Sequence, residues 1–206
     1  MPQSVFDQAR YQVRFEWGAD GLARLAPADV VVIVDVLDPS RTVTDAAARG
    51  EGVPLEVAPH GVSDVAAQAA ASGALVMLGG LRNASAVATA ILAEQQRRGD
   101  RTHVAVIACG DAADGAPLRF AVEDQLGAGA VIDALAARGI DHTSPEAAAT
   151  CEAFRGLRAA VRHLLTASGS GQEMIERGLR DEVLAAAQID AVDVVPVLRG
   201  GVFATA

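Results

Sequence analysis

Asp35 ends the apolar run Val30 to Val34 and opens the turn Asp35-Val36-Leu37-Asp38-Pro39-Ser40-Arg41-Thr42. A carboxylate in that position serves as a metal ligand or nucleophile, or it caps the turn that follows. A second apolar run leads through Gly79-Gly80 into Leu81-Arg82-Asn83-Ala84-Ser85. Arg82, like Arg41 in the first loop, carries the planar fork that grips phosphate by two parallel bonds, or it pairs with an acidic surface neighbour. Asn83 and Ser85 stand where a helix N-cap belongs, and a helix end of that kind also receives anions. A third run ends in Cys109-Gly110-Asp111. Further on, Glu123 and Asp124 are adjacent carboxylates. Mg²⁺ takes one or two such groups and completes its shell with water and substrate oxygens, whereas a solvated acidic turn has the same composition. Ser168-Gly169-Ser170-Gly171 reads as a phosphate nest or as a flexible turn with an N-cap.

Composition narrows these options. The 206 residues are 51% hydrophobic and 21% charged, enough apolar surface for a true core, and with 3% aromatics that core is built from Ala, Val, Leu and Ile. A net charge of −9 without a basic patch sets nucleic acid aside. All 17 basic residues are arginine, so lysine Schiff bases, pyridoxal phosphate chemistry and a phosphate-loop lysine are excluded. Cys109 and Cys151 form no CxxC pattern, and His60, His103, His142 and His163 share no spacing that suggests a metal. Asp35 and Asp38 have two residues between them, not one, which rules out a haloacid-dehalogenase pair. Cys109 has no arginine placed for a cysteine phosphatase, and neither GxSxG nor GxGxxG occurs at a strand-to-helix turn. Without a signal segment or a long apolar run, the default expectation is a cytoplasmic protein that does not enter a membrane.

Elements that position these residues follow from periodicity. Strands are expected over Tyr11–Trp17, Asp29–Leu37, Ala74–Leu78 and His103–Ala108, the last three as β-branched or aliphatic runs closed by turn signals. Helices are expected over Thr42–Arg49, Val62–Ala71, Ala84–Arg98, Leu118–Arg138, Ser144–Thr166 and Gly171–Gln188. A final strand, Asp193–Leu198, contains Pro196 and so belongs at a sheet edge. Gly127 and Gly129 lower the propensity of their helix, which points to close packing or to a helix starting after the acidic pair. Strand, loop and helix repeated three times predict one domain over residues 1–206, a three-layer α/β/α sandwich with a largely parallel or mixed central sheet. Ligands of open α/β sheets sit at the carboxyl ends of the strands. If the strands are parallel and adjacent, Asp35, Arg41, Arg82, Asn83 and Asp111 converge.

Several of these segments, in this order, resemble the 2-phosphosulfolactate phosphatase family. They are Val30 to Thr42, Leu81 to Ala88, Val104 to Gly110, Ala121 to Ala130, the Ser168–Gly171 turn with Asp181, and Asp193 to Leu198. The resemblance spans most of residues 29–200. It implies a three-layer α/β/α fold and a Mg²⁺-dependent hydrolase acting on a small phosphorylated acid. Strand-end position and resemblance together assign Asp35, Arg41 and Asn83 to catalysis. They assign Ser40, Thr42, Arg82, Gly110 and Ser168 to substrate binding, and Asp35, Glu123 and Asp124 to the metal. Two departures are visible. Asp38 stands where the family usually has arginine, with Arg41 three residues later. Glu51 to Leu78 is also too short for the family's Gly-rich loop and Asn-Gly-Thr motif. They motivate the alternative of an inert relative that binds a phosphorylated metabolite or a partner subunit. The Ala-rich, aromatic-poor composition is also compatible with a homo-oligomer.

Overall fold

Val30 to Val34 is buried at every position, because both faces of the strand it forms are covered by helices. A computed structural model describes residues 4–37, 40–58, 60–111 and 117–205, without the side chains of 40, 41 and 60. It contains one seven-stranded mixed sheet of order β1-β5-β2-β4-β6-β7-β3. The strands are β1 Val13–Trp17, β2 Val30–Val34, β3 Val53–Pro54, β4 Leu75–Gly79, β5 Val104–Ala108, β6 Pro196–Arg199 and β7 Val202–Thr205. The first four in spatial order are mutually parallel, and β6, β7 and β3 follow antiparallel to their neighbours.

Alternation along β2 divides the core. Val30, Val32 and Val34 face one layer of helices, while Val31 and Ile33 face the other. Helices α1 (Gly18–Arg24), α2 (Ser40–Ala48) and α3 (His60–Ala71) cover the second face. The first face is covered by α4 (Ala84–Arg98), α5 (Val122–Ala136), α6 (Pro145–Leu157), α7 (Val161–Ala167), α8 (Gly169–Glu176) and α9 (Arg180–Ala186). The three-layer α/β/α sandwich expected from the pattern is the observed architecture. No helix among the described residues is long and apolar enough to cross a membrane.

Gly127 and Gly129 meet the need for close packing. A Cβ at Gly127 would lie 2.5 Å from Val36 Cγ2, and one at Gly129 would lie 2.4 Å from the Thr150 carbonyl oxygen on α6. Helix α5 thus lies against the β2 end on one side and against α6 on the other.

Four expectations are corrected. β6 is an interior strand between β4 and β7, and Pro196 is tolerated because it is the first residue of the strand. Helix α5 begins at Val122 instead of Leu118, because Arg119 exchanges two backbone hydrogen bonds with Asp111 and is held extended. The helix expected over Ser144–Thr166 is interrupted by a 3₁₀ turn at Arg158–Ala160, and that over Gly171–Gln188 breaks at Gly178, which has a left-handed φ of 83°. Strands β3 and β7 and helix α1 lay outside the expectation. The β6–β7 hairpin turns on Gly200-Gly201, both at positive φ, the signature of a tight two-residue hairpin turn.

Candidate functional site

The register of the parallel strands puts Trp17, Ala108, Val34 and Gly79 in one row. The residues that leave that row, Cys109, Asp35 and Gly80, therefore emerge side by side at the carboxyl end of the sheet. β2 continues into α2 on one face, while its neighbours β4 and β5 are followed by α4 and α5 on the other. Loops diverging in this way open a crevice between adjacent strand ends. The crevice is a shallow cleft open to solvent, lined by Asp35, Thr44, Gly80, Arg82, Asn83 and Ala186 among others.

Asp124, in the first turn of α5, ties two of the loops together. Its Oδ1 accepts a 2.8 Å hydrogen bond from the Val36 N–H, and its Oδ2 a 2.9 Å bond from the Gly110 N–H. Gly110 adopts a left-handed φ of 65°, and a Cβ there would meet the Arg119 carbonyl oxygen at 2.8 Å, so glycine is required. Asp124 is 2% exposed. Burial, then the charge of Asp35, push its carboxyl well above the usual carboxylate range, against the downward pull of the two N–H bonds. Next to it, Glu123 is 3% exposed, and its Oε2 has no hydrogen-bond partner. The Cys109 thiol is pushed well up by burial and by Asp35 and Asp124, so it is no thiolate nucleophile. Among the described residues no group of three or more His, Cys, Asp or Glu side chains is placed to hold a metal ion. Asp35, Glu123 and Asp124 lie in one electrostatic neighbourhood without forming a ready three-donor cage.

On the other wall, the Asn83 amide is fully engaged. Its Oδ1 accepts from the Gly80 N–H at 3.0 Å, and its Nδ2 donates to the Leu78 and Val194 carbonyls at 3.2 and 2.9 Å. The residue shapes the turn after β4 and ties it to the segment before β6. Asn83 occupies the N-cap position of α4 without a side-chain cap bond. The carboxylate of Asp190 instead accepts the Ser85 N–H and hydroxyl, each at 2.8 Å. Arg82 Nη1 donates to Asp45 Oδ1 on α2 at 2.8 Å, while its Nε is buried without a partner.

The remaining candidates are placed as follows. Thr42 is exposed on α2. The side chains of Ser40 and Arg41, and all of Asp38, lie outside the described residues. Asp111 points to Arg119, with which it forms an ion pair. Ser168 is a buried N-cap: its hydroxyl accepts the Gly171 N–H at 3.1 Å and donates to the Leu165 carbonyl at 3.0 Å, and it does not line the cleft. Thr44 and Asp45 were not anticipated. They lie in α2 beyond its first turn, and the pairing of Asp45 with Arg82 is purely tertiary.

Residues 63–201, well over half of the chain, match the family model described as 2-phosphosulpholactate phosphatase. The match begins after the Val30–Thr42 segment, so that part of the resemblance lies outside it. No curated protein matches the chain.

Proposed function

The chain belongs to the 2-phosphosulpholactate phosphatase family, and from that premise we propose that it is a Mg²⁺-dependent phosphatase acting on a small phosphorylated acid at the cleft between the β2 and β4 ends. The observation that carries this reading is that Asp35 and Arg82 line one cleft at the carboxyl ends of adjacent parallel strands, with Asp124 coupled electrostatically to Asp35 and to Glu123.

The acidic residues offer a divalent cation one open buried oxygen. Glu123 Oε2 is buried without a partner, and Asp124 is held against the repulsion of Asp35. Mg²⁺ needs no three-carboxylate cage, since water and substrate oxygens complete its shell. Asp35, Glu123 and Asp124 are the residues that would hold it. When bound, the ion neutralises charge on the phosphoryl oxygens and lowers the pKa of a coordinated water.

The protein's own residues supply binding and orientation. Arg82 is the cationic side chain among the described residues of the cleft lining, and its guanidinium suits a phosphoryl group. Asn83 fixes the Gly79-Gly80 turn, which presents backbone rather than side chains to the ligand. Asp124 holds the Val36 and Gly110 amides, so the loops after β2 and β5 keep a set spacing. Positioning of this kind, with charge stabilisation, is the main task in phosphoryl transfer.

The test is phosphate release from a panel of small phosphorylated acids, 2-phosphosulfolactate included, with Mg²⁺ and with chelator. Mg²⁺-dependent release that is lost in Asp35→Ala supports the reading. Full Mg²⁺-dependent turnover by Asp35→Ala refutes the assignment of Asp35. Tight metabolite binding without turnover favours an inert binding relative.

A further inference from the structure

We infer that Asp45 is a specificity-determining residue of the cleft: its carboxylate occupies one edge of the Arg82 guanidinium in the free protein and competes with the anionic group of the ligand. This inference rests on the phosphate-binding reading above. Arg82 donates from Nη1 to Asp45 Oδ1 at 2.8 Å. The pair is partly shielded, with the Arg82 side chain 17% and Asp45 28% exposed, so the interaction is screened less than a surface ion pair. On the same guanidinium, Nε is buried and has no acceptor. A donor of this kind, left without a partner inside a protein, costs free energy until an acceptor reaches it.

The two observations fit together. A tetrahedral anion takes an arginine fork through two donors at once. Asp45 holds Nη1, and Nε on the side edge remains unsatisfied. An incoming phosphoryl group that takes the end-on pair Nη1 and Nη2 displaces Asp45, and one that takes the side pair Nε and Nη2 shares the guanidinium with it. Asp45 thereby lowers affinity for weak monoanions, and only a ligand whose charge and geometry satisfy the fork replaces it. Arg82 comes from the loop after β4 and Asp45 from α2, the two elements that bound the crevice, so ligand entry also changes how these walls are joined.

The experiment measures inorganic phosphate binding in the presence of Mg²⁺ by calorimetry for wild type, Asp45→Asn, Arg82→Gln and the double variant. Asp45→Asn is expected to tighten phosphate binding about threefold to tenfold. Arg82→Gln is expected to weaken it, and the double variant to show no gain from the Asp45 change. In turnover assays Asp45→Asn lowers KM and leaves kcat within about twofold. A folded Asp45→Asn protein with unchanged or weaker phosphate affinity overturns the competition. Should Asp45→Asn fail to fold, the wild-type Arg82 Nε–H resonance decides: a saturable shift on phosphate addition supports engagement of the fork, and no shift overturns it. If wild type binds no phosphate at all, the reading of the cleft fails and this inference with it. If wild type binds phosphate while Asp45→Asn is neutral, only this inference fails.

Discussion

Asp124 and Val36 are joined at the carboxyl end of the sheet: the carboxylate of the first turn of α5 accepts the backbone N–H that follows Asp35, at 2.8 Å. With its other oxygen on Gly110, one buried side chain sets the positions of two strand-end loops. Asp124→Asn replaces one acceptor oxygen by an amide group facing an N–H. Mg²⁺-dependent turnover is expected to fall about 10- to 100-fold, as for residues that orient a metal site. Phosphate-release assays on the folded variant check this.

The same residue carries a pH dependence. Its folded carboxyl lies above the ordinary carboxylate value of 3.8, so the native state binds more protons than the unfolded chain across that window. This contribution is fully present below 3.8 and is lost as pH rises toward the raised folded value. The stability of wild type relative to Asp124→Asn should therefore decline with rising pH. Urea midpoints of both proteins between pH 4 and pH 8 measure it, and parallel curves would refute it.

Gly127 and Gly129 separate site geometry from stability. Gly127→Ala drives a methyl into Val36 and Val34 beside the cleft, while Gly129→Ala drives one into the Thr150 carbonyl on the far side of α5. Each change is expected to cost about 1–3 kcal/mol, partly offset by roughly 1 kcal/mol of helix propensity. Gly127→Ala should lose activity beyond its stability cost, and Gly129→Ala should not. Kinetics and chemical denaturation of the two variants give the comparison.

Arg14 is a buried cation of structural purpose. It is 2% exposed, and its guanidinium donates to the Tyr11, Ala26, Pro27 and Ala9 carbonyls, fastening the segments that flank β1. Burial lowers its pKa, with Asp7 and Asp29 opposing that shift. Arg14→Met leaves these acceptors unsatisfied and is expected to destabilise by about 2–4 kcal/mol, with KM unchanged. Denaturation and steady-state kinetics together decide it.

Metal binding should be visible without turnover. Mg²⁺ is expected to raise the melting temperature of wild type, and chelator to reverse the gain. Asp35→Asn should abolish the Mg²⁺ response while keeping the fold. An unchanged Mg²⁺ response in that variant would remove Asp35 from the ligand set.

The central strands were legible because burial on both faces leaves β2 and β5 as unbroken aliphatic runs. Helix α1 was hidden, since Gly18 and Gly21 disfavour the helix that tertiary contacts impose. β7 had a readable signal in Gly200-Gly201 between two apolar runs, whereas β3 has only two residues and no period to detect. In the site, strand-end position located Asp35, Arg82 and Asn83. Their partners were not legible, because Arg82 meets Asp45 and Asn83 meets Val194 through the fold, not through local spacing.

The antiparallel extension of the sheet has a consequence for synthesis. β4 gains its second neighbour only from β6, so until Pro196 to Arg199 leaves the ribosome its outer edge stays unpaired. The cleft wall that β4 carries is therefore completed only after the helices between β4 and β6 have been made. Chains stalled before β6 are expected to show an open, association-prone strand edge, protected from proteolysis only once the hairpin docks.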